Sequence, residues 1–128
     1  MENIIKKKLA RNWFSLLQDI ICLEVEKIEK KNSKFLVNRW NRNEKKDEGG
    51  GEYRILKDGK IFDKIGVNFS EVYGKFSNNF RGKIPGTSKS AKYWASGISI
   101  VMNLRKPQVQ SMHFNNRYIP VSYKHLRA

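Results

Sequence analysis

Three polar side chains with useful chemistry alternate near the end of the chain, at His113, Asn115 and Arg117. Residues 111–119 are otherwise strand-like, and alternate side chains of a strand share one face. An imidazole gives or accepts a proton near neutral pH, and a guanidinium holds a carboxylate through two parallel hydrogen bonds. The segment therefore predicts a polar trio on one face of a strand, suited to an acidic organic substrate. The opposite face would pack through Met112, Phe114 and Tyr118.

The strand-like segment before it, residues 92–103, offers partners for this trio. Residues 104–110 contain Pro107 and predict a turn, which would make the two strands antiparallel neighbours. Ser99 and Asn103 would then lie beside the trio, on a face opened by Gly97. A bare His-x-Asn-x-Arg pattern is more often a hydrogen-bonded strand histidine beside a surface arginine, so spacing alone does not establish a site.

The first part of the chain predicts a long helix that must pack against these strands. Over residues 2–31, apolar side chains recur at steps of three and four with charged residues between them. The recurring residues are Ile5, Leu9, Trp13, Leu16, Leu17, Ile20, Ile21, Val25 and Ile28. Residues 34–40 are compatible with a strand, and residues 41–51 predict a polar, charged loop that ends in glycines.

A β-hairpin is predicted in the middle of the chain. Residues 52–57 and 60–69 alternate in polarity and are joined by Asp58-Gly59, which tolerates the positive backbone angles of a tight turn. Residues 70–74 extend the second strand, and residues 75–90 predict an irregular crossover. One helix followed by mainly antiparallel strands predicts the α+β class.

Composition limits the chain to one modest domain. It has 128 residues, 39% of them hydrophobic, and no apolar run near the roughly 18 residues that cross a bilayer. With no signal peptide pattern, a cytoplasmic protein is expected. The single cysteine, Cys22, excludes an internal disulfide and a cysteine zinc cluster, and is expected to pack on the helix.

A strong positive charge favours an acidic partner. Lys and Arg number 26 against 12 Asp and Glu, which gives +14, and such a field attracts polyanions. The lysines are scattered and outnumber the arginines, whereas nucleic-acid readers favour the bidentate fork of arginine. Much of the excess is therefore expected to be solvated surface.

Five segments in order resemble the oxygen-dependent coproporphyrinogen-III oxidase family, over about residues 13–119. The glycine run would be weak evidence alone, but the ordered set is specific. The segments are residues 39–42 (RWNR), 49–51 (GGG), 58–74 (DGKIFDKIGVNFSEVYG), 97–99 (GIS) and 112–118 (MHFNNRY). The resemblance implies a coproporphyrinogen oxidase fold, in which a large antiparallel sheet is flanked by helices.

The resemblance also implies an activity and its residues. Family members use molecular oxygen to decarboxylate two propionates of coproporphyrinogen III to vinyl groups, giving protoporphyrinogen IX in haem and porphyrin biosynthesis. They are homodimers, and no organic cofactor is implied. His113 corresponds to the acid/base histidine, Ser99 to a substrate-binding serine, and Asn115, Asn116 and Arg117 to a substrate-binding segment. Because alternation points Asn116 away, its contact would come from the backbone.

The sequence departs from the family pattern in two respects. Position 103 is commonly a histidine that binds a divalent metal together with His113, but here it is Asn103, so metal binding is doubtful. The family is considerably longer, and residues 120–128 do not resemble its continuation. Residues 1–119 are therefore expected to be the N-terminal part of an oxidase domain, with residues 120–128 as a non-matching tail. We expect an unpaired strand edge, an uncovered apolar face and no oxidase activity from this chain alone.

Two other functions remain open from the sequence. A basic module that binds single-stranded RNA would use Trp40, Tyr53, Phe69 and Trp94 as stacking platforms among the lysines. A non-functional gene fragment would bind neither RNA nor a porphyrinogen.

Overall fold

One helix and five strands make up the described part of the chain. The computed structural model describes residues 2–29, 33–75 and 92–120. Every neighbouring pair of strands is antiparallel, in the order β1-β2-β3-β4-β5. The predicted α+β class is confirmed. The elements are α1 (Glu2–Glu29), β1 (Leu36–Asn41), β2 (Gly49–Lys57), β3 (Phe62–Lys75), β4 (Lys92–Leu104) and β5 (Met112–Tyr118).

Several element boundaries in the structure differ from the predicted ones. The glycine run assigned to a loop is the start of β2, so residues 49–51 pair with β3. Glycine suits this position because the backbone of Gly49 has φ +83°, and a Cβ on Gly50 would collide with the carbonyl oxygen of Trp40. Residues 30 and 31 of the predicted helix, most of the crossover and the tail from residue 121 lie outside the described residues.

The predicted hairpin is confirmed, with a turn two residues longer than expected. Asp58 adopts φ +58°, and its N–H donates to the carbonyl of Asp63 at 2.9 Å. The N–H of Gly59 donates to the carbonyl of Phe62, also at 2.9 Å. Residues 58–61 therefore form the turn, and β3 begins at Phe62.

Helix α1 packs on one side of the sheet, which we call the helix side. Its buried side chains follow a helical step and include polar groups: Phe14, Gln18, Cys22, Val25 and Glu29. They cover the apolar side chains of the central strands, among them Ile65, Val67, Ile98 and Ile100. Burial raises the pKa of the Cys22 thiol to about 11, so Cys22 is the inert packing residue that was expected.

The helix presents most of its apolar side chains to the outside, contrary to expectation. Leu9, Trp13, Leu16, Ile20 and Leu23 are all at least 43% exposed. The helix therefore has two apolar stripes, and the less apolar one faces the sheet. The expected uncovered apolar surface is thus found on α1, and exposed apolar side chains also lie on the outer strands, among them Leu36, Val37 and Phe114. No helix in the described ranges is long and apolar enough to span a membrane.

Two buried polar side chains of α1 attach the helix to the sheet backbone. Gln18, which is 1% exposed, donates from Nε2 to the carbonyls of Glu52 and Val67 at 2.8 and 3.1 Å. The carboxylate of Glu29 accepts the N–H groups of Ile61 and Phe62 at 2.9 and 3.1 Å. A carboxylate in the last turn opposes the helix dipole, so its role lies in these contacts with the hairpin turn.

Removing the Glu29 carboxylate is expected to destabilise the fold. Glu29→Ala leaves two turn N–H groups without their charged acceptor, which should lower the free energy of unfolding by about 2 kcal/mol. Urea unfolding followed by circular dichroism measures this. Glu24→Ala is the matched control, since Glu24 is on the same helix, is 61% exposed and, among the described residues, pairs only with Lys27. Its cost should stay below about 0.5 kcal/mol, and an equal effect of both substitutions would contradict the role given to Glu29.

Candidate functional site

The register of β4 and β5 brings the predicted site residues together. Ser99 lies directly opposite Asn115, Gly97 opposite Arg117, and Val101 opposite His113. Directly opposed residues of antiparallel strands point to the same face, with Cβ atoms about 5 Å apart. The predicted placement of Ser99 beside the polar trio is therefore confirmed.

This arrangement lies on the side of the sheet away from α1. Ile98 and Ile100 are buried against the helix, so the residues between and beside them in β4 face the other way. We call this side the polar face. Asn116 lies opposite Ile98, so its side chain belongs to the helix side, as alternation predicted.

A row of hydrogen-bonding side chains crosses the polar face over all five strands. The successive pairings place Asn38 opposite Tyr53, Tyr53 opposite Asn68, and Asn68 opposite Ser99. Asn115 completes the row, which spans four strand spacings, or about 19 Å. The row therefore extends the predicted site into β1, β2 and β3, which sequence reasoning did not include.

The polar face carries cations without carboxylates among its paired strand positions. Its charged residues there are Lys57, Lys64 and Arg117, besides His113. The carboxylates Glu52 and Glu71 are on the helix side, where they pair with Arg54 and Arg11, both at 2.8 Å. Such a face has the electrostatic character expected for an anionic ligand.

The carboxylate of Glu48 lies near one edge of the polar face. Glu48 precedes β2 and accepts a hydrogen bond from Nδ2 of Asn43 at 2.6 Å. It approaches Gly74, at the end of the face far from His113. Its charge is therefore remote from the polar trio.

The polar trio is exposed and available to a ligand. His113, Asn115 and Arg117 are all exposed, and their side chains make no hydrogen bond or ion pair with another described residue. By contrast, Arg11, Arg54 and Arg105 each pair with a carboxylate. The guanidinium of Arg117 thus keeps its donors for another molecule.

Three glycines allow close contacts between neighbouring strands at the polar face. A Cβ on Gly97 would lie 2.6 Å from the carbonyl oxygen of Asn116, so β5 approaches β4 closely beside Ser99. A Cβ on Gly51 would meet the indole of Trp40, and one on Gly66 would meet the phenol of Tyr53. Both rings therefore lie close against glycines of the neighbouring strand.

The indole of Trp40 also fixes a side chain of the row. Its Nε1 donates to Oδ1 of Asn68 at 3.0 Å. The family motifs contain Trp40 and Asn68, but no single-strand pattern indicated that they meet. Their contact depends on the registers of three strands.

The metal implied by the family does not fit the donors of the polar face. Asn103 lies two residues from Val101 on the same face, so it is a diagonal neighbour of His113. A carboxamide is a poor ligand for most transition metals, which leaves one imidazole. The described residues hold no group of three His, Cys, Asp or Glu side chains that could bind a metal ion.

A separate cavity of about 480 Å³ lies where α1 meets the start of β2. Its walls include Arg11, Glu52, Glu71 and Tyr73. Three carboxylates in its wall, those of Asp47, Glu52 and Glu71, make it unsuited to a polyanion. The polar face is therefore the better candidate site, although it is open.

The four aromatic residues considered for RNA stacking do not share a surface. Trp40 and Tyr53 lie on the polar face, whereas Phe69 and Trp94 lie on the helix side. Phe69 is only 9% exposed. Bases stacked on one single strand of RNA would not reach both sides of the sheet, which disfavours this alternative.

Comparison with known proteins gives a consistent result. The family model described as coproporphyrinogen III oxidase matches residues 9–127, which extends beyond residue 119, where the resemblance was expected to end. An oxygen-dependent coproporphyrinogen-III oxidase of Rickettsia felis is 44% identical over 93% of this chain, and one of Rickettsia africae is 43% identical over 94%. A relative from Rickettsia bellii is 42% identical over 91%. The chain spans 44%, 44% and 43% of the length of these three curated relatives.

Adding one methyl group at Gly97 is expected to disturb the junction of β4 and β5. In Gly97→Ala the new Cβ meets backbone and not a movable side chain, so β5 must shift at a cost of about 1–3 kcal/mol. Urea unfolding measures this cost. Ser99→Ala, on the same strand and face, is the control and should change stability by less than about 0.5 kcal/mol. A Gly97→Ala protein as stable as this control would contradict the close approach.

Proposed function

The chain belongs to the coproporphyrinogen III oxidase family, and we propose that its polar face binds coproporphyrinogen III for oxygen-dependent decarboxylation. The product would be protoporphyrinogen IX, in haem biosynthesis. The observation that carries the proposal is the unpaired Arg117 on a face whose paired strand positions hold cations and no carboxylate. A substrate with four carboxylates requires such a surface.

Each residue of the trio has a distinct role in this proposal. Arg117 holds a substrate carboxylate through parallel hydrogen bonds, and Ser99 and Asn115 donate from the adjacent row. His113, one row further along the face, gives or accepts the proton that moves when a propionate is converted to a vinyl group. Asn116 contributes through its backbone, because its side chain lies on the helix side.

Molecular oxygen is the proposed co-substrate, as the names of the relatives state for those proteins. When a propionate loses its carboxylate as carbon dioxide and becomes a vinyl group, two electrons leave the substrate. Oxygen accepts them, so the proposal includes no organic cofactor. It includes no step at a metal, since Asn103 and His113 make a poor ligand pair.

The cellular location and the oligomeric state are also part of the proposal. The proposal includes the cytoplasmic location expected from the sequence and the homodimeric assembly that the family resemblance implies. The chain covers 44% of the relatives' length, so the proposal concerns substrate binding by this part of the oxidase, and we still expect no turnover from this chain alone. In the described residues no element covers the polar face, and an open face does not exclude water from the reacting groups.

Substitution of Arg117 tests the proposed substrate contact. Arg117→Ala should weaken binding of coproporphyrin III, the stable oxidised analogue, by about 10- to 100-fold through loss of a bidentate charge-assisted contact. Fluorescence titration of the porphyrin measures the dissociation constant. Arg117→Lys should recover part of the affinity, since it keeps the charge but not the fork.

The control must separate a specific contact from general attraction, because a chain with net charge +14 attracts any tetra-anion. Arg39→Ala removes the same charge from the helix side, where Arg39 is 86% exposed. It should change affinity by less than about threefold. Equal losses for Arg39→Ala and Arg117→Ala would show attraction by net charge alone and contradict the proposed site.

Replacing Asn103 by histidine should create a metal site. Asn103→His places a second imidazole diagonal to His113, within joint reach of one ion. We expect Zn²⁺ or Co²⁺ to bind at least about tenfold more tightly than to the unaltered chain. Isothermal titration measures this, with Asn41→His on the helix side as control. No gain, or an equal gain in the control, would contradict the diagonal placement.

A further inference from the structure

We propose that Asn68, oriented by Trp40, is a further carboxylate-binding residue of the polar face. The inference rests on the proposed function and extends its site from β4 and β5 into β3. Asn68 lies directly opposite Ser99, which lies opposite Asn115. The three side chains therefore stand side by side on neighbouring strands, each about 5 Å from the next.

The orientation of the Asn68 amide follows from the chemistry of its partner. An indole N–H can only donate, so the atom of Asn68 that faces Nε1 of Trp40 must be the carbonyl oxygen Oδ1. The amino group Nδ2 then points elsewhere on the face. Among the described residues it donates to no acceptor, so its two N–H groups remain for a ligand.

Trp40 is itself held in place by the sheet. A Cβ on Gly51 would come within 2.9 Å of two atoms of the indole, so the ring lies directly on that glycine. Glycine at position 51 is what lets an indole from β1 lie across β2 and reach Asn68 on β3. In this arrangement Trp40 is a positioning residue, and Asn68 is the residue that contacts the ligand.

The resulting row presents hydrogen-bond donors that match a carboxylate. It presents the Nδ2 donors of Asn68, the hydroxyl of Ser99 and the amide of Asn115, with Arg117 on the neighbouring row. The paired strand positions of the face hold no carboxylate that would compete for these donors. A ligand with several carboxylates around its rim can therefore contact Arg117 and Asn68 at once, through different groups.

Asn68→Asp tests the ligand contact without removing the bond to Trp40. An aspartate still accepts from the indole, but it replaces the Nδ2 donors by an oxygen that repels a carboxylate. Coproporphyrin III should bind about 10- to 100-fold more weakly to this variant of the full chain. Asn41→Asp makes the same charge change on the helix side and should alter affinity by less than about threefold.

Trp40→Phe tests the positioning role. It removes the indole donor, so the amide of Asn68 can turn and affinity should fall by about threefold. The same substitution made in an Asn68→Ala background should have almost no effect, because the residue that it orients is gone. A structural role for Trp40 alone would lower affinity equally in both backgrounds.

The outcomes separate this inference from the proposed function. Weak binding by Asn68→Asp with normal binding by Asn41→Asp supports the inference. If Asn68→Asp binds as tightly as Asn41→Asp while Arg117→Ala binds weakly, the inference is wrong and the proposed function stands. If the unaltered chain does not bind coproporphyrin III, both are wrong. Circular dichroism and urea unfolding of each variant verify that losses of affinity do not reflect unfolding.

Discussion

Burial of one side of the sheet under helix α1 decides which side chains are free for chemistry. Ile65, Val67 and Ile98 are at most 1% exposed, and each alternates with a residue of the polar face. A slip of one residue in any strand would exchange the two sets. The apolar contact with α1 therefore fixes the register, and the register places Ser99, Asn115 and Arg117 on the same surface.

The two sides of the sheet also differ in whether their charged side chains are paired. On the helix side, Glu52 and Glu71 neutralise arginines and accept hydrogen bonds at the junction with α1. On the polar face, Arg117 keeps its charge unpaired among the described residues. Because the carboxylates lie on the packed side, the polar face is a positive surface that can bind an anion. The ion pairs themselves contribute little stability where they are exposed.

Sequence reasoning recovered the parts that depend on one strand or one turn. Alternation placed His113 and Arg117 on one face, and Asp58-Gly59 predicted the hairpin. It missed Asn68 and Tyr53, because their place in the row follows from the registers of three successive hairpins. On α1, the apolar pattern included residues of both stripes: Leu17, Ile21 and Val25 pack on the core, whereas Leu9 and Trp13 are exposed. Apolar periodicity could not indicate the buried polar contacts of Gln18 and Glu29.

Pairing of each strand with its neighbour in sequence also sets an order of assembly. The turn between β2 and β3 has four residues, whereas 16 residues separate β3 from β4. Each doubling of a loop costs about 0.6 kcal/mol in closure entropy. Closing the β3–β4 connection therefore costs about 1.2 kcal/mol more than closing the β2–β3 turn. We therefore expect the β2–β3 hairpin to nucleate folding, with β4 adding later. Asn68 and Tyr53 would then be in place before Ser99 arrives, so the site would form from the middle of the sheet outward.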